Sequence, residues 1–248
     1  LEIKPNDINV LNNKGSTFNK MGLYEEASNV YNESLKVKPD DITALNNKGV
    51  ALINMNKIHE AIDSYDKALS VKPNDITALT NKGVALSSLG RYDDAIYYYD
   101  SALSLDPNSA NLYFNKGLAL THAGNHSEAI QCYDMAISMK DDYIDAYYNK
   151  AISLSELGRF EEAIRSYDQV LYISYDYVYA YYGKGYSLDC LERYEEAIQC
   201  YDEAIRIEPA YLHAYYRKAE GLGKLGKAAE ADKIIKRAKE IESRESKW

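Results

Sequence analysis

The chain has 248 residues, of which 46% are hydrophobic and 27% charged, and its formal net charge is −9. This acidic balance, with acids and bases alternating, argues against nucleic acid or an anionic membrane surface as the partner. No apolar run approaches the ~20 residues that a membrane-spanning helix needs. Cys132, Cys190 and Cys200 show no pairing pattern, so we expect free thiols in a reducing compartment and a cytoplasmic protein.

Residues 76–109 contain the pattern on which the chain is built. Leu79 and Leu86 lie on one face of a predicted helix that Gly90 ends. A second stripe at the same period follows, and Pro107 stops the second helix. That stripe is Tyr92, Ala95, Tyr99 and Ala102. The pattern predicts a pair of short antiparallel helices, which is too small to enclose a core of its own and needs neighbours.

The same pattern recurs at a constant interval along the chain. The repeats are residues 8–41, 42–75, 76–109, 110–143, 144–177, 178–211 and 212–245. One alanine opens the second helix of every repeat, as Ala27, Ala61, Ala95, Ala129, Ala163, Ala197 and Ala231. We therefore expect one array over residues 8–245, in which each repeat covers the apolar face of the next.

The period, the Leu-Gly-Arg-Tyr turn at residues 89–92, the alanine and the closing proline resemble the tetratricopeptide repeat family. The resemblance implies an all-α fold, a right-handed superhelical α-solenoid of antiparallel helix pairs. It also implies that the first helices line the concave side, where ligands bind. Residues 1–7 resemble the tail of a preceding repeat and residues 246–248 form a short tail, so we expect a fragment of a longer protein.

The fourth and fifth repeats have Asp141 and Tyr175 in place of the closing proline. The second helix could therefore run on, or the turn could differ. Alternating tyrosines over residues 172–182 suggest a strand out of context. The repeat frame predicts instead that Tyr175 and Tyr177 lie in a turn and that Tyr179 opens the next helix.

Each first helix has a glycine or alanine near its middle, at residues 15, 49, 83, 117, 151, 185 and 219, and a lysine directly precedes it. Five of these lysines follow an aspartate by sixteen residues. We expect five ion pairs between neighbouring repeats, each worth at most ~1 kcal/mol if exposed. The predicted pairs are Asp66–Lys82, Asp100–Lys116, Asp134–Lys150, Asp168–Lys184 and Asp202–Lys218. A basic ladder for an anionic partner is the less favoured interpretation.

An asparagine recurs in mid-helix, where its amide competes for backbone groups and is unfavourable. These residues are Asn13, Asn47, Asn81, Asn115 and Asn149. Since a carboxamide complements a peptide bond, the ladder predicts binding of an extended peptide by its main chain. The alternative is that the asparagines are passengers of recent duplication.

Aromatic residues form a second candidate zone in the later repeats. Phe114, Tyr148, Tyr182 and Tyr216 share one repeat position, and Tyr179 and Tyr186 share a helical face with Tyr182. A tyrosine directly precedes each of the four aromatic residues at this position, as Tyr147 precedes Tyr148. We expect the first ring of each doublet to enter the core and the second ring to face the ligand. Ordinary packing between helices is an equal alternative.

Motifs for catalysis, phosphate binding or metal binding are not recognisable, so we expect no enzyme and no cofactor. His122 and His126 resemble a metal pair, but Gly124 predicts a turn between them. The family's carboxylate clamp needs a lysine where this chain has Asn46, Thr80 or Phe114, which makes a chaperone adaptor improbable. The sequence thus favours a protein–protein interaction module. A scaffold that self-associates end to end and the targeting arm of a larger enzyme are the alternatives.

Overall fold

A computed structural model describes residues 7–245 of the chain. Within that range there are fourteen α-helices and no strand, and consecutive helices are joined by short turns. The helices are α1 (Ile8–Lys20), α2 (Tyr24–Val37), α3 (Ile42–Asn54), α4 (Ile58–Val71), α5 (Ile76–Ser88), α6 (Tyr92–Leu105), α7 (Ala110–His122), α8 (His126–Met139), α9 (Ile144–Glu156), α10 (Phe160–Ile173), α11 (Val178–Cys190), α12 (Tyr194–Ile207), α13 (Leu212–Lys224) and α14 (Ala228–Glu245). The predicted all-α solenoid of tandem helix pairs is confirmed.

Every predicted repeat begins at the first residue of a helix. The expected tail of a preceding repeat, apart from Asp7, and the C-terminal tail at residues 246–248 lie outside the described residues. The contacts divide the chain between Gly124 and Asn125 into two compact segments. The first segment holds α1–α7 and the second holds α8–α14. A single continuous array over residues 8–245 stays a prediction.

The first helices of the early repeats begin at side-chain caps. Asp41 accepts a hydrogen bond from the backbone N–H of Ala44 at 2.9 Å, and Asp75 accepts one from Ala78 at 3.0 Å. Such caps satisfy amides that a helix leaves unpaired at its start. In the last three repeats a tyrosine takes the cap position and makes no cap bond, as at Tyr177 and Tyr211.

The second helices of the fourth and fifth repeats, which have Asp141 and Tyr175 in place of the closing proline, end where those of the repeats with a proline end. α8 and α10 have 14 residues, like α2, α4, α6 and α12. The residue after each is extended, with φ −143° at Lys140 and −135° at Ser174, as at Lys38 with −137°. The backbone therefore leaves the helix in the same way without proline, and the expectation of a longer helix is wrong. The helical interpretation of residues 178–182 is confirmed.

The small residue of the first helix gives room to the aromatic ring of the second. A Cβ atom added at Gly83 would lie 2.6 Å from Tyr99, and one at Gly49 would lie 2.3 Å from Tyr65. Gly15 and Gly185 stand in the same relation to Tyr31 and Tyr201. These rings are almost fully buried. Each ring thus packs directly on the backbone of its partner helix, which is why glycine recurs here.

The five predicted ion pairs between neighbouring repeats are confirmed. Lys116 lies 2.5 Å from Asp100 and Lys184 lies 2.6 Å from Asp168, and the other three pairs form in the same way. Lys82 is the most buried of these lysines, because the Tyr98 ring lies 4.3 Å from its ammonium and the Tyr98 hydroxyl accepts a hydrogen bond from it. Each pair joins the second helix of one repeat to the first helix of the next. None of the helices in residues 7–245 meets the length and hydropathy needed to cross a membrane.

Candidate functional site

The predicted asparagines of the first segment have side-chain amides that are accessible and make no hydrogen bond within the described residues. Asn13 is exposed, and Asn47, Asn81 and Asn115 are half-buried. Among residues 7–245 the side-chain amides of these four make no hydrogen bond. We call these four residues the amide row, and the side of the first helices that carries them the first-helix face.

The asparagines next to them behave differently. Asn46, which directly precedes Asn47, is 6% exposed and donates from Nδ2 to the Asp75 cap at 3.0 Å. Asn12 donates to the Asp41 cap at 3.0 Å, and its Oδ1 accepts from Ser34 at 2.9 Å. Adjacent asparagines of one helix therefore divide into a bonded residue, which holds the next repeat, and an open residue in the amide row.

A cleft lies beside the amide row between α5 and α7. Its volume is about 270 Å³. Its floor includes the buried Tyr99, and one wall is the stacked pair Tyr92–His122, whose ring centroids are 5.5 Å apart. The remaining lining is Val84, Ser87, Ser88, Asn115, Leu118 and Ala119. This mixture of apolar floor and polar rim suits a peptide side chain.

The fifth asparagine, in the second segment, is not equivalent to the other four. Asn149 donates from Nδ2 to the backbone carbonyl of Asp145 at 2.8 Å, so part of its amide is used within its own helix. The next repeat has Gly183 at this position. A Cβ atom there would lie 2.4 Å from Cζ of Tyr167, so the ring of the preceding repeat occupies the place of an asparagine.

Three of the predicted aromatic residues of the second segment, Tyr148, Tyr179 and Tyr182, form a connected cluster with two tyrosines of the turns. The ring of Tyr148 lies 5.3 Å from Tyr177, and that of Tyr182 lies 5.4 Å from Tyr211. Tyr179 joins the two pairs, at 6.2 Å from Tyr177 and 5.7 Å from Tyr211. We call these five residues the tyrosine cluster. Tyr148 and Tyr182 also contact the buried rings of Tyr167 and Tyr201, whereas 51% of Tyr179 is exposed.

The hydroxyls of Tyr148 and Tyr211 are protonated at neutral pH, because both have a raised pKa. Burial, followed by the neighbouring Tyr177 and Tyr179, raises the pKa of Tyr148 to about 12. Burial and the neighbouring tyrosines likewise raise the pKa of Tyr211 to about 12. A protonated phenol both donates and accepts a hydrogen bond, so the cluster offers apolar faces with polar edges.

Tyr186 lies in a separate cleft of about 210 Å³ between α11 and α13. The Arg217 guanidinium stacks on its ring at 5.0 Å and also donates to Glu220 at 3.3 Å. Asp189 accepts from the Tyr201 hydroxyl at 2.5 Å on one oxygen, while its other oxygen is buried without a partner. Burial raises the pKa of the Asp189 carboxyl above its usual range, although the bond from Tyr201 opposes the shift.

The remaining predicted aromatic residues are Phe114 and Tyr216. Phe114 is half-buried on α7, in the first segment. Tyr216 is 41% exposed, and its hydroxyl donates to Glu242 at 3.4 Å. Cys132 and Cys200 are buried and Cys190 is exposed, and none of the three forms a disulfide among the described residues. Within residues 7–245, no group of three or more histidine, cysteine, aspartate or glutamate side chains could hold a metal ion.

Comparison with known families decides the identity of the fold. The tetratricopeptide repeat model matches residues 42–75, 76–109, 110–143 and 178–211, a second tetratricopeptide model matches residues 144–177, and a TPR repeat model matches residues 15–56. The chain belongs to the tetratricopeptide repeat family. Members of this family form protein–protein interaction scaffolds, and the chain is such an interaction module.

Solved tetratricopeptide structures share the fold. MamA is 25% identical, with a TM-score of 0.65 over 67% of this chain and 97% of its own. YrrB, described as a TPR protein with an unusual peptide-binding site, is 22% identical, with a TM-score of 0.67 over 76% of this chain and 97% of its own. A tetratricopeptide repeat protein from Parabacteroides merdae is 19% identical, with a TM-score of 0.71 over 94% and 93%. No curated protein matches the sequence.

Two features of this tetratricopeptide chain escaped the sequence analysis. The first is the pairing of Tyr148 with Tyr177 and of Tyr182 with Tyr211, which replaces the Asn–Asp pairs of the early repeats. The sequence contains a signal for this pairing, because the repeat positions of Asn46 and Asp75 both hold tyrosine in the fifth and sixth repeats. The second is the glycine at residue 183, whose neighbour Tyr167 comes from the preceding repeat.

Proposed function

We propose that the chain is a non-catalytic module that holds an extended segment of a partner protein along its first-helix face, in a concave groove. The observation that carries this proposal is the amide row, whose groups are open while the adjacent Asn12 and Asn46 are bonded. Four successive repeats keep an asparagine whose amide is exposed or half-exposed and makes no hydrogen bond, which favours contact with a ligand over inheritance by duplication alone. The cytoplasmic location belongs to the same proposal.

The spacing of the row suits an extended chain. Packed helices lie roughly 8–10 Å apart and an extended peptide rises about 3.3 Å per residue, so each repeat meets about every third residue. A carboxamide there donates to a backbone carbonyl and accepts from a backbone N–H. Such contacts do not depend on the side chains of the peptide, so aromatic contacts at Phe114, the tyrosine cluster, Tyr186 and Tyr216 would supply selectivity.

A peptide library screened against the whole chain tests this function. At ~1 kcal/mol for each net hydrogen bond, replacing two amides removes about 2 kcal/mol, or roughly 30-fold in affinity. The test variant is Asn81→Ala with Asn115→Ala. Its control is Asn29→Ala with Asn74→Ala, since both of these asparagines are exposed away from the row. Equal binding by the two double variants would remove the amide row from the function.

End-to-end self-association is the second candidate function. Light scattering over a range of concentrations tests it, and a strict monomer at high concentration would exclude it. The role of targeting arm for a larger enzyme is a third possibility that the full gene would decide.

A further inference from the structure

The cleft between α5 and α7 is lined without a carboxylate, an ammonium or a guanidinium group. None of the residues that line it in the described chain is an aspartate, glutamate, lysine or arginine, although 27% of the whole chain is charged. Val84 is 38% exposed at its edge, and the Ser88 hydroxyl already donates to the Val84 carbonyl at 3.0 Å. We call this site the neutral cleft.

A second cleft at the same repeat positions has the opposite character. Every residue that lines the cleft between α11 and α13 stands three repeats after a residue that lines the neutral cleft. Four of these positions hold charged residues in the second cleft: Asp189 for Ser87, Arg217 for Asn115, Glu220 for Leu118 and Lys224 for His122. The uncharged lining is therefore a property of the third and fourth repeats, and the repeat position alone does not impose it.

The neutral cleft has room and walls for an aromatic ring. Its volume is about 270 Å³, whereas a cavity of about 150 Å³ holds benzene. One wall is the Tyr92–His122 pair, whose ring planes lie 19° apart, and the floor includes the Tyr99 ring, which is 2% exposed. A further ring beside these rings gains stacked or edge contacts beyond the area that it buries. An aliphatic side chain of equal volume gains the area alone.

We propose that the neutral cleft takes an aromatic side chain of the bound segment. This inference rests on the proposed peptide-binding function and adds the side-chain class that the cleft selects. Asn115 supports it, because this residue belongs to the amide row and also lines the cleft. Its amide bonds the peptide backbone while a neighbouring ring of the peptide enters the cleft. An acidic or basic side chain fits less well, since it would lose water here without an opposite charge to pair with.

A fluorinated dodecapeptide tests the inference with the whole chain. The probe alternates glycine and serine around one central para-fluorophenylalanine, and fluorine NMR follows its binding. Competitors of the same sequence carry phenylalanine, cyclohexylalanine or alanine at the central residue. We expect phenylalanine to compete about tenfold more strongly than alanine, because its ring leaves water. It should compete about threefold more strongly than cyclohexylalanine, which has similar volume but makes no contacts of the aromatic kind.

A matched pair of variants locates the effect. Leu118→Glu gives the neutral cleft the residue type that Glu220 supplies in the second cleft, and it should weaken binding of the fluorinated peptide at least tenfold. Ile152→Glu is the control, since Ile152 has the same repeat position on α9, the same charge change and is half-buried like Leu118. It should leave binding unchanged. Circular dichroism checks that both variants fold, and equal losses in the two would overturn the inference.

The competition experiment uses the unaltered chain and decides the matter even if a variant does not fold. If alanine or cyclohexylalanine competes as well as phenylalanine, the inference fails and the peptide-binding function stands. If light scattering finds self-association that Leu118→Glu abolishes, a second copy of the chain fills the cleft and the inference fails. If neither these peptides nor any library peptide binds, the proposed function fails as well.

Discussion

Ser34 and Ala68 occupy the same position in the first two repeats and differ by one hydroxyl. Ser34 donates to Oδ1 of Asn12 at 2.9 Å, whereas Oδ1 of Asn46 is buried and has no partner. An unsatisfied buried acceptor costs about 1–3 kcal/mol. The second repeat therefore has a buried acceptor, Oδ1 of Asn46, without a donor, and a hydroxyl at residue 68 would supply one.

We expect Ala68→Ser to raise the free energy of unfolding by about 1 kcal/mol, because the new hydroxyl reaches Oδ1 of Asn46 as Ser34 reaches Asn12. Urea denaturation followed by circular dichroism measures the change. Ala102→Ser is the control, since its repeat has Thr80 in place of the asparagine and Thr80 already donates to its own helix. A gain of the same size in both variants would contradict the explanation.

The turn within each helix pair contains a residue with positive φ. Five repeats have glycine there, with φ between 72° and 82°, but the second has Asn56 at 58° and the sixth has Glu192 at 59°. A side chain in this region strains the backbone by roughly 1–2 kcal/mol, less for asparagine. Glu192→Gly should therefore raise the urea midpoint, and Asn56→Gly should raise it less. The opposite order would show that the strain is relieved by other contacts.

At the scale of helices, the fifth repeat shows the consequence of one methyl group. Where five other repeats have glycine, this repeat has Ala151. Tyr167 shares a buried cluster with Ala151, and its ring also lies against Gly183 of α11. We attribute the contact with Gly183 to the Ala151 methyl, which takes space that a ring would need. Because residue 183 is glycine, the sixth repeat has no asparagine at this position of the ladder, and the Tyr167 ring contacts α11 there.

A double-mutant cycle tests this account. Gly183→Ala should lower the free energy of unfolding by about 1–3 kcal/mol, because its methyl would meet the Tyr167 ring. Adding Ala151→Gly should recover much of the loss, since the ring could then move to its position in the other repeats. Gly223→Ala is the control: nothing lies within 4 Å of its Cβ, and alanine favours a helix. Additive effects in the cycle would mean that residues 151 and 183 do not compete for the ring.

The helices and the ion pairs were predictable from the sequence because they depend on spacing alone. A lysine sixteen residues after an aspartate reaches it whenever two repeats stack in register. The cluster around Tyr177 and the contact of Tyr167 with Gly183 were not predicted, since they depend on which ring fills which space. Residues 151 and 219 are alanines where the other repeats have glycine, and the repeat pattern does not distinguish the two although one methyl changes the packing. Likewise, Asn46 and Asn47 have the same side chain, and only the fold distinguishes the bonded amide from the open one.

At the scale of the whole molecule, the recurrent buried tyrosine makes stability depend on alkaline pH. Burial raises the pKa of Tyr31 to about 12 and raises those of Tyr65, Tyr99, Tyr167 and Tyr201 as well. The unfolded chain releases these protons near pH 10 while the folded chain keeps them. Their contribution is complete below pH 10 and is lost as the pH rises towards the folded values, by about 1.4 kcal/mol per pH unit for each ring.

Tyr31→Phe isolates one ring. Its hydroxyl is buried without a hydrogen-bond partner, so the variant should be at least as stable as the parent at pH 7. Between pH 10 and 12 its free energy of unfolding should fall less steeply, by about 1.4 kcal/mol per pH unit, because one fewer proton is released on unfolding. Urea titrations at fixed pH values measure both slopes, and the curves should run parallel between pH 7 and 9, which serves as the internal control. Equal slopes above pH 10 would mean that Tyr31 ionises in the folded chain, and that its repeat opens before the rest unfolds.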